Sequence, residues 1–160
     1  MKIDLLKIAD FNNDFNKFVD ACYSCYLSIW KSQVMFNDKI IIRNSFLERN
    51  KEKDFWGIVE GHNDDKVFDN LARYETMPFL KHILENLSKT KNDENSDIFW
   101  FYSERRKVNI VSKKLKYFIV LKESGGSKFY FVTSYPISDN KVIKIGKKWK
   151  EYWETNIRSN

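Results

Sequence analysis

Between residues 14 and 31 the apolar side chains recur at three- and four-residue steps, with Phe15, Phe18, Val19, Cys22, Cys25, Tyr26, Ile29 and Trp30 on one stripe. That spacing predicts a helix with one buried face, and Asn13 or Asp14 can cap its start. The pattern then shortens. VMFNDKIIIRN reads as two short β runs about Asn37 and Asp38, residues whose side chains favour a tight turn. FWGIV, residues 55–59, reads as a further strand-like run bounded by charge. A polar loop, HNDDK, follows, then helical material over 67–71 and a second helix from Pro78 through Leu87. Pro78 suits a first helical turn, where its missing amide proton would have been unpaired anyway.

The polar stretch SKTKNDENSD, residues 88–97, reads as a loop or mobile connector. From Ile98 the β signal dominates. IFWFY, KVNIV, KYFIVL and KFYFVTSY follow one another as an antiparallel meander, with Gly125 and Gly126 able to supply the positive φ of the last turn. Several of these runs are apolar on both parities, which predicts a sheet covered by helices on both faces. The segment 140–156 carries Ile145, Trp149, Tyr152 and Trp153 among lysines and reads as a closing amphipathic helix, weakened by Gly146. The expected architecture is a single α+β domain over residues 1–160. Its central antiparallel sheet has about four to five strands, with an N-terminal helix, a middle helical pair and a C-terminal amphipathic helix.

Charge changes this picture more than composition does. Residues 1–100 hold 14 Lys and Arg against 17 Asp and Glu, a balance of −3, whereas residues 101–160 hold 14 against 5, a balance of +9. The overall +6 hides that polarity. A basic C-terminal third concentrates polyanions, so nucleic acid or an acidic protein is the natural partner. Thirteen Phe, eight Tyr and five Trp exceed what a small core requires, leaving some rings for the surface. Cys22 and Cys25 lie on the apolar stripe without a second pair, so they read as core thiols rather than as half of a zinc site. Neither a leader nor an apolar run of spanning length is evident, and a soluble, reducing, cytoplasmic setting with no membrane partner is expected.

RNA can be cut without a metal or cofactor if one group takes the 2′-OH proton, another protonates the leaving oxygen, and cations stabilise the charged phosphate. His62 sits in a polar loop, where an imidazole titrates near neutrality. His82, inside the helix after Pro78, reads as a packed or paired surface residue. Arg73 suits a phosphate and Glu75 suits orienting it or acting as a base, although a salt bridge between the two is an equally simple account. Arg105, Arg106 and Lys107 occupy a predicted hairpin turn, where they and the neighbouring Lys113, Lys114 and Lys116 could grip phosphates without sequence preference. Thr133 and Tyr135 share parity on the last strand with Phe129 and Phe131, so they could mark the opening of a buried face, hydrogen-bonding a phosphate or stacking a base.

Taken in order, FWGIVEG, ARYETMPF with LKHILEN, WFYSERRKVNIV, KYFIVL and FVTSYPIS resemble a phage- and mobile-element-associated family grouped with the barnase, EndoU, colicin E5/D and RelE (BECR) nucleases. That family carries an Arg-Arg-x-Glu-Arg-hydrophobic-Pro-Trp run. Arg73, Glu75, Pro78 and Phe79 fit it, and Ala72 and Thr76 do not. Thr133 and Tyr135 match its Thr-x-Tyr, and Arg105 to Lys107 its basic turn. Where the family shows a histidine after Phe-Trp, this chain has Gly57, which leaves His62 or Glu75 to carry the proton. The resemblance implies a metal-independent endoribonuclease of toxin type that leaves a cyclic phosphate. RNA, tRNA included, would be its substrate, with an antitoxin or immunity protein as a candidate partner. The alternative is a non-catalytic module of the same fold that binds nucleic acid or an acidic partner. The enzyme reading requires His62, Arg73, Glu75, Arg105, Thr133 and Tyr135 to meet at one cleft.

Overall fold

The computed structural model describes residues 2–61, 70–93 and 95–158. The first apolar stripe forms α1 (Phe15–Ile29), capped by Asp14, whose carboxylate accepts the Lys17 N–H at 3.2 Å. Phe18, Val19, Cys22, Tyr26 and Ile29 turn inward from it. Two hairpins follow. β1 (Met35–Phe36) turns into β2 (Lys39–Ile42) through Asn37 and Asp38, both left-handed as their side chains permit, and β3 (Leu47–Glu48) turns into β4 (Lys51–Glu52).

The FWGIV run is helical, not a strand. It lies within α2 (Lys53–Glu60), where Phe55, Ile58 and Val59 are buried at three- and four-residue spacing. Five apolar-rich residues carry either period, and the charged neighbours on both sides extend only the helical one. α3 (Asn70–Glu75) and α4 (Met77–Asn86) form the middle pair, with Pro78 in the first turn of α4. The expected loop at 62–66, and residues 67–69 of the helical segment, lie outside the described residues.

β5 (Ile98–Ser103), β6 (Lys107–Ser112), β7 (Tyr117–Ser124) and β8 (Lys128–Pro136) form the antiparallel meander, and α5 (Asp139–Arg158) closes the fold. The sheet has six strands in the order β1-β2-β8-β7-β6-β5, more than the four to five expected, and it is mixed. The additional pair arises because the β1–β2 hairpin joins the free edge of β8, with β2 parallel to β8 from Ile40↔Lys128 to Ile42↔Tyr130. Beyond Tyr130 no strand among the described residues pairs with that edge of β8, and α2 and α3 both contact this strand.

Both faces of the sheet are covered, as the double-parity runs imply. Val108, Ile110, Tyr117, Ile119, Leu121 and Phe129 pack in one core with α1, α2 and α4. Phe99, Phe101, Val111, Phe118 and Val120 pack under α5 in a second. The polar connector before β5 does more than link. Asn92 stands in for a missing strand at the β5 edge, its amide accepting the Trp100 N–H at 2.8 Å and donating to the Trp100 carbonyl at 2.9 Å. The same Asn92 oxygen accepts the Trp149 indole N–H at 3.1 Å, tying α5 down.

Asp97 organises the β6–β7 turn. Its carboxylate accepts the Ser112 hydroxyl at 3.0 Å and the Lys114 N–H at 2.7 Å, while its carbonyl takes the Lys113 N–H at 3.0 Å. Asp97→Ala removes two of these acceptors and leaves the turn's donors to water. The expected loss is about 1–2 kcal/mol in urea unfolding, and unchanged stability would show that the turn holds its shape without the carboxylate.

Candidate anion site and basic surface

Arg73 projects from α3 into the interior with 2% of its surface exposed. Its guanidinium donates to the Ile58 carbonyl at 3.1 Å and lies 5.0 Å from the centroid of the Tyr135 ring. Gly61, at the end of α2, permits this approach. Its φ is +68°, and a Cβ there would lie 2.8 Å from the guanidinium carbon, so any side chain meets both backbone strain and a collision. Tyr117 is buried beside the same group, with its hydroxyl 3.0 Å from that of Ser134. Burial raises the Tyr117 pKa, while the Ser134 hydroxyl, the Arg73 charge and Thr76 pull against it.

Thr133 and Tyr135 share a face of β8, but it is not the face of Phe129 and Phe131 as expected. A bulge sets Leu121 opposite Phe131 and Val120 opposite Thr133, leaving Val132 unpaired. One inserted residue reverses the parity of all that follow. Tyr135 therefore packs on Phe118, ring centroids 5.4 Å apart, in the core under α5. It also meets Arg73.

The remaining expected members go elsewhere. Glu75 lies two residues after Arg73 on a helix, so the two side chains diverge by about 200°. It pairs with Lys7 at 3.0 Å rather than with Arg73. Arg105 and Arg106 are exposed and left-handed in the β5–β6 turn, followed by Lys107 at the start of β6. Lys113, Lys114 and Lys116 follow the other end of that six-residue strand, a separation of roughly 20 Å. The two basic turns thus sit at opposite ends of the sheet and are not neighbours. His62 lies outside the described residues. Of the expected set, Arg73 and Tyr135 come together, and Thr133 shares the Tyr135 face of β8. Pattern reading missed Tyr117 and Ser134, whose only signal is the strand register itself.

Lys113, Lys114 and Lys116 share their end of the sheet with Tyr135, because Phe118, two residues after Lys116, pairs with it. The start of α5 joins them there. The Ile137 N–H donates to the Lys116 carbonyl at 2.8 Å, and Lys116 pairs with Asp139 at 3.0 Å. Along α5, Lys141, Lys144, Lys147, Lys148 and Lys150 are all exposed, with no acidic residue between them. Like charges four residues apart weaken a helix slightly, so this stripe is costly unless a polyanion neutralises it.

Gly57 lies on α2 one turn before Gly61, which donates its N–H to the Gly57 carbonyl, and a Cβ at Gly57 would meet nothing within 4 Å. Cys22, buried, and Cys25, half-buried, are free cysteines, and burial pushes the Cys22 thiol up to about 12. Among the described residues no group of three His, Cys, Asp or Glu side chains is placed to hold a metal ion, and no helix is long and apolar enough to cross a membrane. No protein-family model, curated protein or solved structure matches this chain.

Proposed function

We propose that the protein acts on RNA as a metal-independent endoribonuclease of the BECR type. The lysines of the β6–β7 turn and α5 hold the backbone, and Arg73 with Tyr135 and Thr133 receives the reacting phosphate. The observation that carries this reading is the meeting of Arg73 and Tyr135 at 5.0 Å, from segments about sixty residues apart, at the same sheet end as the basic surface. A guanidinium in a low-dielectric setting stabilises a pentacoordinate phosphate far better than one in water, and its fork matches two phosphate oxygens. Arg105, Arg106 and Lys107 then serve at most as a distal phosphate contact. Glu75, held by Lys7, drops out of the scheme.

Incubation with total RNA in EDTA tests the reading. Cleavage products ending in 2′,3′-cyclic phosphate are expected, and the rate should fall for Tyr135→Phe and Thr133→Val, which keep the strand. Intact RNA at high protein concentration would reject the enzyme.

A second reading, binding of RNA without cleavage, is favoured by Gly57 standing where the resembled family has a histidine. The open space beside Gly57 makes a direct comparison practical. If the chain binds RNA but is silent, and Gly57→His confers cleavage, the binding reading holds for the natural sequence.

A further inference from the structure

The core under α5 reaches only as far as β7, where Phe118 and Val120 are its last members before β8. Past them the same sheet face opens to solvent, and Tyr130 is 45% exposed. Strand register fixes what stands beside that ring. Lys107 pairs with Lys122, Lys122 with Tyr130, and Tyr130 with Ile42, so the four form one row straight across β6, β7, β8 and β2. Their chain neighbours Val108, Leu121, Phe129 and Ile41 all point into the other core, and alternation therefore turns the row itself to the α5 side.

Two lysines directly opposite each other on one face destabilise a strand pair. Among the described residues neither Lys107 nor Lys122 has an acidic partner to relieve that repulsion, and Tyr130 has no ring partner. Asn109 lies one step inward from Lys107 on the same face, 9% exposed, and its side-chain amide has no hydrogen-bond partner among the described residues. Arg105 and Arg106 carry the positive charge past the end of the row, with Glu104 the one acid of their turn. An open ring, two opposed ammonium groups and an unpaired amide thus share one surface.

We propose that this open face binds single-stranded RNA, with a base stacked on Tyr130 and backbone phosphates on Lys122 and Lys107. Stacking needs an unpaired base, and lysine reads charge rather than sequence, so the face takes single strands with little base preference. Thr133 lies on the same face two steps on, across the bulge and roughly 7 Å from Tyr130. A strand lying along β8 therefore runs from Tyr130 toward the contact of Arg73 with Tyr135. The inference deepens the RNA reading by giving the strand its path, and it rests on that reading only for the chemistry of the polymer.

An end-labelled 2′-O-methyl strand of about ten nucleotides tests it, because a blocked 2′ oxygen leaves the probe uncut. Fluorescence anisotropy at low salt should show saturable binding, with a duplex of the same sequence clearly weaker. Tyr130→Ala should weaken the strand by about tenfold, and Tyr130→Phe, which keeps the ring, by less than about twofold. Lys122→Gln should lower the slope of log affinity against log salt by about 0.7, the share of one phosphate. Its melting temperature should hold or rise, since an opposed like-charge pair is removed. No binding at low salt, a duplex, a deoxy strand or polyglutamate bound more tightly than the probe, or unchanged affinity in Tyr130→Ala overturns the proposal. Cleavage is scored separately. A protein that leaves RNA intact yet loses the probe on Tyr130→Ala keeps this inference and not the nuclease, and one that cuts RNA while Tyr130→Ala binds unchanged keeps the nuclease and not this inference.

Discussion

Arg73→Lys is expected to lower RNA cleavage by roughly 10²- to 10³-fold, the usual effect of removing one preorganised donor to a developing oxyanion. The substitution keeps the charge, so loss of rate isolates geometry. A lysine ammonium is a compact point charge on a flexible stem. It cannot present a planar fork to two phosphate oxygens, nor spread its charge over a plane beside Tyr135, whose ring centroid is 5.0 Å from the guanidinium carbon. It also gives up the fixed approach to the Ile58 carbonyl at 3.1 Å. Because Arg73 is buried, the variant should also lose stability, by about 1–3 kcal/mol. Single-turnover cleavage measured well below the variant's melting temperature separates the two effects. A variant that cleaves at the natural rate would remove Arg73 from the chemistry and leave it a packing role beside Tyr135.

Alkaline solution should unfold the protein cooperatively above about pH 10. Tyr26, Tyr117 and Cys22 are buried with no exposed surface, and Tyr74 is 5% exposed. Burial raises all four pKa values, Cys22 and Tyr74 to about 12. Tyr26 has a further cause, since it donates to the Glu52 carboxylate at 3.0 Å and its phenolate would face that charge. Each group holds its proton in the folded state and releases it more readily when unfolded. The unfolded chain therefore binds fewer protons as pH rises, and stability falls. The contribution of each group is fully present below its unfolded pKa, near 9 for the thiol and 10 for tyrosine. Above that value it is lost at about 1.4 kcal/mol per pH unit, up to the folded pKa. Four such groups together approach the whole stability of an ordinary domain by about pH 11. Tyrosinate absorbance should rise in one sharp step coincident with loss of circular dichroism, and Tyr26→Phe should shift that step upward. A gradual tyrosine titration with the fold intact would contradict the burial argument.

Local signals carried much of the fold. The α1 stripe, the Asn37–Asp38 turn, Pro78 in the first turn of α4, the four meander strands and the Trp149–Trp153 helix are all readable from periods and turn residues. The failures share a cause. FWGIV is short enough to satisfy two periods, and the Val132 bulge adds one residue that no alternation rule anticipates. The parallel pairing of β2 with β8 links residues about ninety positions apart, a choice settled by which sheet edge is free.

The candidate site divides in the same way. Residue types and charge polarity are properties of the order of amino acids, so the basic third, the Thr-x-Tyr and the Arg73–Glu75 pair were visible without coordinates. Which of them meet is a property of packing. Helical rotation sends Glu75 to Lys7, the length of β6 separates Arg105 from Lys113, and packing of α3 on β8 beyond the bulge brings Tyr135 to Arg73. Periodicity acts over a few residues and is written into the chain. The meeting of distant side chains depends on strand register and edge pairing, which exist only once the sheet has closed against its helices.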